Sequence, residues 1–240
     1  MPGPVALVGA GEFLAPMAEF DAGLLAATGR SRPRVVILPT AAAPDGEATF
    51  RRWADMGVEH FGALGAEVEP VLVRDVSEGY DAGALQAIGE SDLVYLSGGH
   101  PRHLIDVLHG SPLGAAIRSA NARGAVVAGC SAGAMALVSR TVDFRFLPHV
   151  RMPMPFPVRW PEGLALVENV AVLPHYDAWP EPLSAFVALQ APRGDVILGI
   201  DEDTAALGCD DAWQVHGRGR VTVWRGRHRE RFRRGEAFRI

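Results

Sequence analysis

Apolar residues in this chain fall into short unbroken runs separated by stretches of helical spacing. Val5-Ala6-Leu7-Val8, Arg34 to Thr40, Asp92 to Leu96 and Ala125-Val126-Val127-Ala128 read as strands buried on both faces, since a strand with one wet face would alternate polar and apolar residues. Glu67 to Val73 reads as a further strand, with polar residues alternating at its start. Between these runs, residues 16–28, Thr49 to Leu64, Ala82 to Ile88, 102–108 and 112–122 predict helices. The longest spaces Phe50, Trp53, Ala54, Val58, Phe61 and Leu64 helically and stops at Gly65. Later, Val167 to Leu173 and Val196 to Ile200 are strand runs, and short strands and hairpins follow from Ala205. The expected fold is α/β: a mostly parallel central sheet in a three-layer α/β/α arrangement, with C-terminal β-hairpins. No internal repeat or linker is visible, so residues 1–240 read as one domain.

Three strand runs end in glycine-bearing turns: Gly9-Ala10-Gly11-Glu12, Ser97-Gly98-Gly99-His100 and Gly129-Cys130-Ser131-Ala132-Gly133. In open parallel sheets ligands bind beyond the carboxyl ends of the strands, so the three turns predict one crevice. The third is Gly-x-Ser-x-Gly, the pattern of a strand, a tight turn and a helix with a hydroxyl at the apex. The first lacks the third glycine of a dinucleotide-binding turn, with Leu14 in its place, and is a weak cofactor signal. Between Asp143 and Gly163 lie Pro148, Pro153, Pro155, Pro157 and Pro161 with Met152, Met154, Phe156 and Trp160. That density forbids a helix or a central strand and suggests either a functional cover or a surface loop held by its aromatics.

Composition narrows the chemistry. The net charge of −5 argues against a general nucleic-acid or membrane-surface binder. All 23 basic residues are arginine, which excludes a lysine Schiff base. Arg225, Arg227, Arg229, Arg231 and Arg233 alternate and predict a solvated face of a strand or ribbon. Cys130 and Cys209 are too few for a disulfide framework or a cysteine-rich zinc site. No signal-peptide pattern or membrane-spanning apolar run is present, so a soluble, cytoplasmic protein is expected.

A serine nucleophile needs a base, and the base needs an orienting group. Of the eight histidines, only His100 and His175 stand where a strand has just ended. His175 is the better base, with carboxylates near. The acid could be Asp177, on the same face if the strand continues, Glu202 in the acidic run Asp201-Glu202-Asp203, or Asp143. That run could also bind a metal, but no second histidine accompanies it. Cys130 is beside the apex, not at it, and is expected to pack under the turn.

Together, Gly-Cys-Ser-Ala-Gly-Ala, the earlier Ser-Gly-Gly, Pro-His-Tyr and Gly-Ile-Asp-Glu-Asp-Thr-Ala resemble peptidase family S51, in the same order and from roughly Val5 to Ala205. That family contains the alpha-aspartyl dipeptidases (peptidase E) and the cyanophycinases and shares the class I glutamine amidotransferase-like fold. The resemblance implies a Ser131-His175-Glu202 triad and an oxyanion hole of the Gly99 and Ala132 amides. It implies a small peptide substrate, cleaved without a metal or organic cofactor; Ser131 at the apex disfavours an amidotransferase, which uses cysteine there. Two features depart from the family. The arginine cluster that follows the histidine in cyanophycinases is absent, no arginine occurring before Arg193, and His100-Pro101 matches neither the acid-glutamine pair of cyanophycinases nor the Asn-Thr of the dipeptidases. Candidate substrate contacts are His100, Arg102, Asp177 and Arg159, with Arg145 and Arg151 as further basic groups. The competing expectation is a non-catalytic binding protein that kept the nucleophile turn. No nucleic-acid or membrane partner is expected, and a homodimer is the one assembly entertained.

Overall fold

A computed structural model describes residues 1–143 and 158–240. In chain order its strands are β1 (Val5–Val8), β2 (Arg34–Leu38), β3 (Glu67–Pro70), β4 (Leu93–Leu96), β5 (Val126–Cys130), β6 (Val138–Arg140) and β7 (Val167–Leu173). Then come β8 (Val196–Ile200), β9 (Thr204–Cys209), β10 (Ala212–Gly217), β11 (Arg220–Arg225), β12 (His228–Arg233) and β13 (Ala237–Arg239). The helices are α1 (Ala18–Ala27), α2 (Glu47–Ala63), α3 (Ala82–Glu90), α4 (Pro101–Leu108), α5 (Pro112–Ala122), α6 (Ala132–Leu137) and α7 (Glu181–Ala188).

The strands form two sheets, ordered β13-β10-β9-β1-β5-β4-β2-β3 and β12-β11-β8-β7-β6. From β1 to β3 the first sheet is parallel, and β9 joins β1 antiparallel. Alternate residues along these strands face opposite cores. Leu7, Val36, Leu38, Val94, Leu96 and Val127 point to the side covered by α3 to α6. Ala6, Val35, Ile37, Tyr95, Val126 and Ala128 meet Leu24 of α1 and Phe61 of α2 on the other. This two-sided burial is why the strand segments read as unbroken apolar runs. Helix starts are set locally: Asp81 accepts from the Ala84 amide at 2.8 Å and Ser111 from the Gly114 amide at 3.1 Å, satisfying donors that would otherwise be orphaned.

The second sheet refines the expectation. In it β6, β7 and β8 are parallel, and β11 and β12 add antiparallel. β6 is an unpredicted strand of three residues with an irregular register against β7, too short to show a period. β3 stops at Pro70 rather than Val73, and one further amide, that of Val71, donates to Ile37 O at 2.9 Å. The alternating arginines do not share one face throughout. A turn at Gly226 separates Arg225 on β11 from Arg229, Arg231 and Arg233 on β12. Arg229 lies over the Trp224 ring and pairs with Glu181, which Arg231 also reaches. Most of the proline-rich segment, with His149, Arg145 and Arg151, lies outside the described residues. Among the described residues no helix is long and apolar enough to cross a membrane.

One buried acid tests the electrostatics of the α1–α2 layer. Asp21 is fully buried; one of its oxygens meets His60 Nε2 at 2.8 Å and the other has no partner among the described residues. Burial raises its pKa, outweighing the His60 contacts. A raised carboxyl binds its proton more tightly folded than unfolded, so stability falls as pH rises from the unfolded to the folded pKa, and the penalty is complete above the latter. Asp21→Asn is expected to raise the urea midpoint at pH 7, with the gap to the unmodified protein closing as pH drops through the folded pKa. Parallel pH profiles for the two proteins would contradict this.

Candidate active site

β1, β5 and β4 are adjacent and parallel, so the three glycine turns at their carboxyl ends lie side by side. The turn after β5 is tightly packed. A Cβ on Gly129 would stand 2.4 Å from the Gly133 carbonyl carbon, and one on Gly133 would stand 2.3 Å from the Leu96 carbonyl oxygen. Both contacts are closer than any side chain tolerates, which explains the two glycines of Gly-x-Ser-x-Gly. At the apex Ser131 has φ 49° and ψ −108°, a backbone state costing on the order of 1–3 kcal/mol. It is held there by its amide donating to Val8 O at 2.9 Å and its carbonyl accepting from the Met135 amide at 3.0 Å.

The partners come from the second sheet. His175 follows β7 and Glu202 follows β8, neighbouring parallel strands whose ends lie together. Ser131 Oγ is 3.0 Å from His175 Nε2, and His175 Nδ1 is 2.8 Å from Glu202 Oε1. Each distance fits a hydrogen bond, with Ser131 O–H donating to the ring and the ring N–H donating to the carboxylate. The His175 and Glu202 side chains are 42% and 47% exposed, so this contact is open to solvent. His175 adopts the left-handed conformation at φ 50°, ψ 39°. The next residue anchors it: Tyr176 is buried, and its hydroxyl accepts from Trp224 Nε1 at 2.8 Å.

Asp177 does not continue a strand alongside His175. β7 ends at Leu173 and Tyr176–Ala178 is a helical turn. Asp177 Oδ1 instead accepts the Glu202 backbone amide at 2.9 Å, so it braces the loop of the other acid. That loop is braced again from β1. The Gly9 amide donates to Thr204 O and the Asp203 amide to Ala10 O, and a Cβ on Gly9 would sit 2.2 Å from the Asp201 carbonyl oxygen. The Gly-x-Gly after β1 is thus a packing surface for the acidic loop. Asp143, the remaining candidate acid, is buried, with its amide donating to Arg159 O.

The Gly98-Gly99 turn faces Ser131, a Cβ on Gly98 standing 3.3 Å from Ser131 Cβ. The Gly99 and Ala132 amides have no acceptor among the described residues. Cys130 is fully buried, as expected beneath the turn, and burial, then the Glu12 carboxylate, push its thiol pKa well up. Glu12, the last residue of the first glycine turn, carries no assigned role in the sequence reading. Its carboxylate accepts the Gly98 amide at 2.7 Å and the Cys130 thiol at 2.7 Å. An acid inside an otherwise apolar glycine turn was the available signal.

Of the basic candidates, His100 Nε2 lies 2.8 Å from Asp45 Oδ1 and Arg102 Nε 2.8 Å from Asp106 Oδ1. Both residues line a mainly apolar cavity of about 340 Å³ with Pro101, Val142, Asp143 and Pro161. Arg159 is exposed. Among the described residues no group of three or more His, Cys, Asp or Glu side chains is arranged to hold a metal ion.

Solved structures show the same architecture. The crystal structure of a peptidase from an acI-B1 Actinobacterium superposes with a TM-score of 0.87 at 30% identity, covering 100% of this chain and 98% of that one. A putative peptidase E protein from Listeria monocytogenes EGD-e shares the fold, with a TM-score of 0.57 at 17% identity over 97% of this chain and 99% of that one. No curated protein matches the chain. The sequence model of peptidase family S51 matches residues 6–215. With that match over most of its length and a peptidase fold throughout, the chain belongs to peptidase family S51 and is a serine-type peptidase.

Proposed function

We propose that Ser131, His175 and Glu202 act as a catalytic triad that hydrolyses a small peptide through an acyl-enzyme. The observation that carries this reading is the unbroken hydrogen-bond chain of 3.0 and 2.8 Å from the Ser131 hydroxyl through His175 to Glu202. His175 Nε2 takes the Ser131 proton as Oγ bonds to the scissile carbonyl carbon. The Gly99 and Ala132 amides donate to the oxyanion that forms, each worth roughly 3–4 kcal/mol by analogy with measured donors. The imidazolium then protonates the leaving amine as the C–N bond breaks. Water repeats the sequence on the ester and releases Ser131. Glu202 holds the proton on Nδ1, leaving Nε2 free to accept. No cofactor enters the scheme.

For the substrate, an aspartyl dipeptide or an isopeptide is the class proposed. His100 and Arg102 beside the apolar cavity, Asp177 bonded to the Glu202 amide, and Arg159 are the groups proposed to meet it. Binding of an acidic side chain would require Arg102 or His100 to exchange its present carboxylate partner for the substrate's. A cytoplasmic location and, for assembly, a homodimer complete the reading.

A fluorophosphonate label followed by peptide mass spectrometry tests the triad, and a panel of Asp-X dipeptides, beta-aspartyl peptides and cyanophycin-like polymer tests the substrate. The expected result is one adduct, on Ser131, and cleavage of at least one aspartyl peptide that labelling abolishes. An adduct on Ser131 with no peptide cleaved would remove the substrate class and keep the triad. No adduct on Ser131 would remove the triad.

A further inference from the structure

Glu12 is buried to 5% exposure directly behind the nucleophile turn. One carboxylate oxygen takes the Gly98 amide from the end of β4 and the other takes the Cys130 thiol from the end of β5. It therefore adds a hydrogen-bonded tie between two turns that also pack directly on each other. Gly98 is wedged in this bridge: a Cβ there would be 2.7 Å from Glu12 Oε1 and 3.3 Å from Ser131 Cβ.

The bridge has a direction. The segment after β4 is pinned at two amides, Gly98 N–H on Glu12 at 2.7 Å and His100 N–H on the Ala41 carbonyl at 2.7 Å. Between them Gly99 has φ +140°, and a Cβ on it would lie 2.4 Å from Ala41 O, so only glycine can occupy the position. Among the described residues its amide is the one of the three left without an acceptor. Pinning both neighbours fixes the plane of the intervening peptide, which an oxyanion donor requires, since its contribution depends on being aimed before charge develops.

Resting on the triad reading above, we infer that Glu12 is a positioning residue for the reaction: its carboxylate holds the Gly98–Gly99 peptide so that the Gly99 N–H meets the oxyanion over Ser131. Glu12 touches neither substrate nor the reacting oxygen. Its influence reaches the transition state and not the ground state, so it acts on kcat with KM unchanged.

The test uses hydrolysis of 4-nitrophenyl acetate, which needs the nucleophile and oxyanion hole but no peptide specificity. Rates are normalised to active sites counted by complete fluorophosphonate labelling. Glu12→Ala is expected to lower kcat per labelled site about 10²-fold, the loss typical of one oxyanion donor, with KM within twofold. Glu12→Gln keeps an oxygen for the Gly98 amide and is expected to recover kcat to within about tenfold of the unmodified protein, as one neutral acceptor replaces a charged one. Affinity for a boronic acid, which binds Ser131 as a tetrahedral adduct, should fall in parallel with kcat across the two variants. Unchanged kcat per site in Glu12→Ala, or a loss confined to KM, or equal losses in the alanine and glutamine variants would overturn the assignment. If Glu12→Ala does not fold, the glutamine variant decides, through the parallel between kcat and boronate affinity. Undiminished ester hydrolysis by Ser131→Ala would instead overturn the triad itself, so the two failures are told apart.

Discussion

Replacing Ser131 by alanine is expected to lower kcat/KM for the cleaved peptide by about 10⁶-fold, the scale measured when a triad serine is removed. The residual rate should still exceed that in water, because oxyanion donors and substrate binding survive the substitution. A steady-state assay with active-site titration checks the loss, and a decrease under tenfold would count against acyl-enzyme chemistry. Stability supplies a second, independent reading. Ser131 sits at φ 49°, ψ −108°, strain of roughly 1–3 kcal/mol that alanine retains and glycine relieves. Glycine in turn enlarges the conformational freedom of the unfolded chain, costing about 0.4–1 kcal/mol. Relief wins, so Ser131→Gly should be as inactive as Ser131→Ala and more stable by about 1 kcal/mol. An unfolding midpoint for Ser131→Gly below that of Ser131→Ala would show that the turn stores no strain.

Much of this site can be read from local pattern. β1, β4 and β5 are buried on both faces, so their unbroken apolar runs announce both the strands and the turns that follow. Ser131 is marked by two glycines that close packing demands, Gly129 against Gly133 within the turn and Gly133 against Leu96 of β4. His175 is marked by the end of β7. The rest depends on contacts far apart in sequence. Glu12 meets partners 86 and 118 residues away, and nothing nearby marks it except its isolation among small apolar residues. That β7 and β8 form a second sheet follows from which strands pair, a choice no single segment encodes. Asp177 is eligible as the acid only if the strand runs past Leu173, and β7 ends there. The left-handed His175 turns the chain there and sends Asp177 to the Glu202 amide instead. The carboxylate partners of His100 and Arg102, Asp45 and Asp106, are set by the fold and the α4 turn.

Glu202→Gln is expected to lower kcat about 10³-fold, less than the roughly 10⁴-fold seen when a buried triad aspartate becomes an amide. Two effects produce the loss. A carboxylate stabilises the imidazolium that forms as Ser131 attacks, and a glutamine does not. An amide can also present N–H to Nδ1, which forces the ring proton onto Nε2, where it blocks the base. Both are weakened here by solvent. The Glu202 side chain is 47% exposed, so water and salt screen the charge it offers. A glutamine this exposed is also free to rotate its oxygen toward Nδ1. The same screening predicts that kcat of the unmodified enzyme falls as sodium chloride is raised, while that of Glu202→Gln, with no charge to screen, stays level. Steady-state kinetics across a salt series reads both. A loss in Glu202→Gln as large as in Ser131→Ala would mean that the acid works from a site far drier than its exposure indicates. No loss at all would return the role to another carboxylate, and Asp177, already bonded to the Glu202 amide, would be the first to replace by alanine.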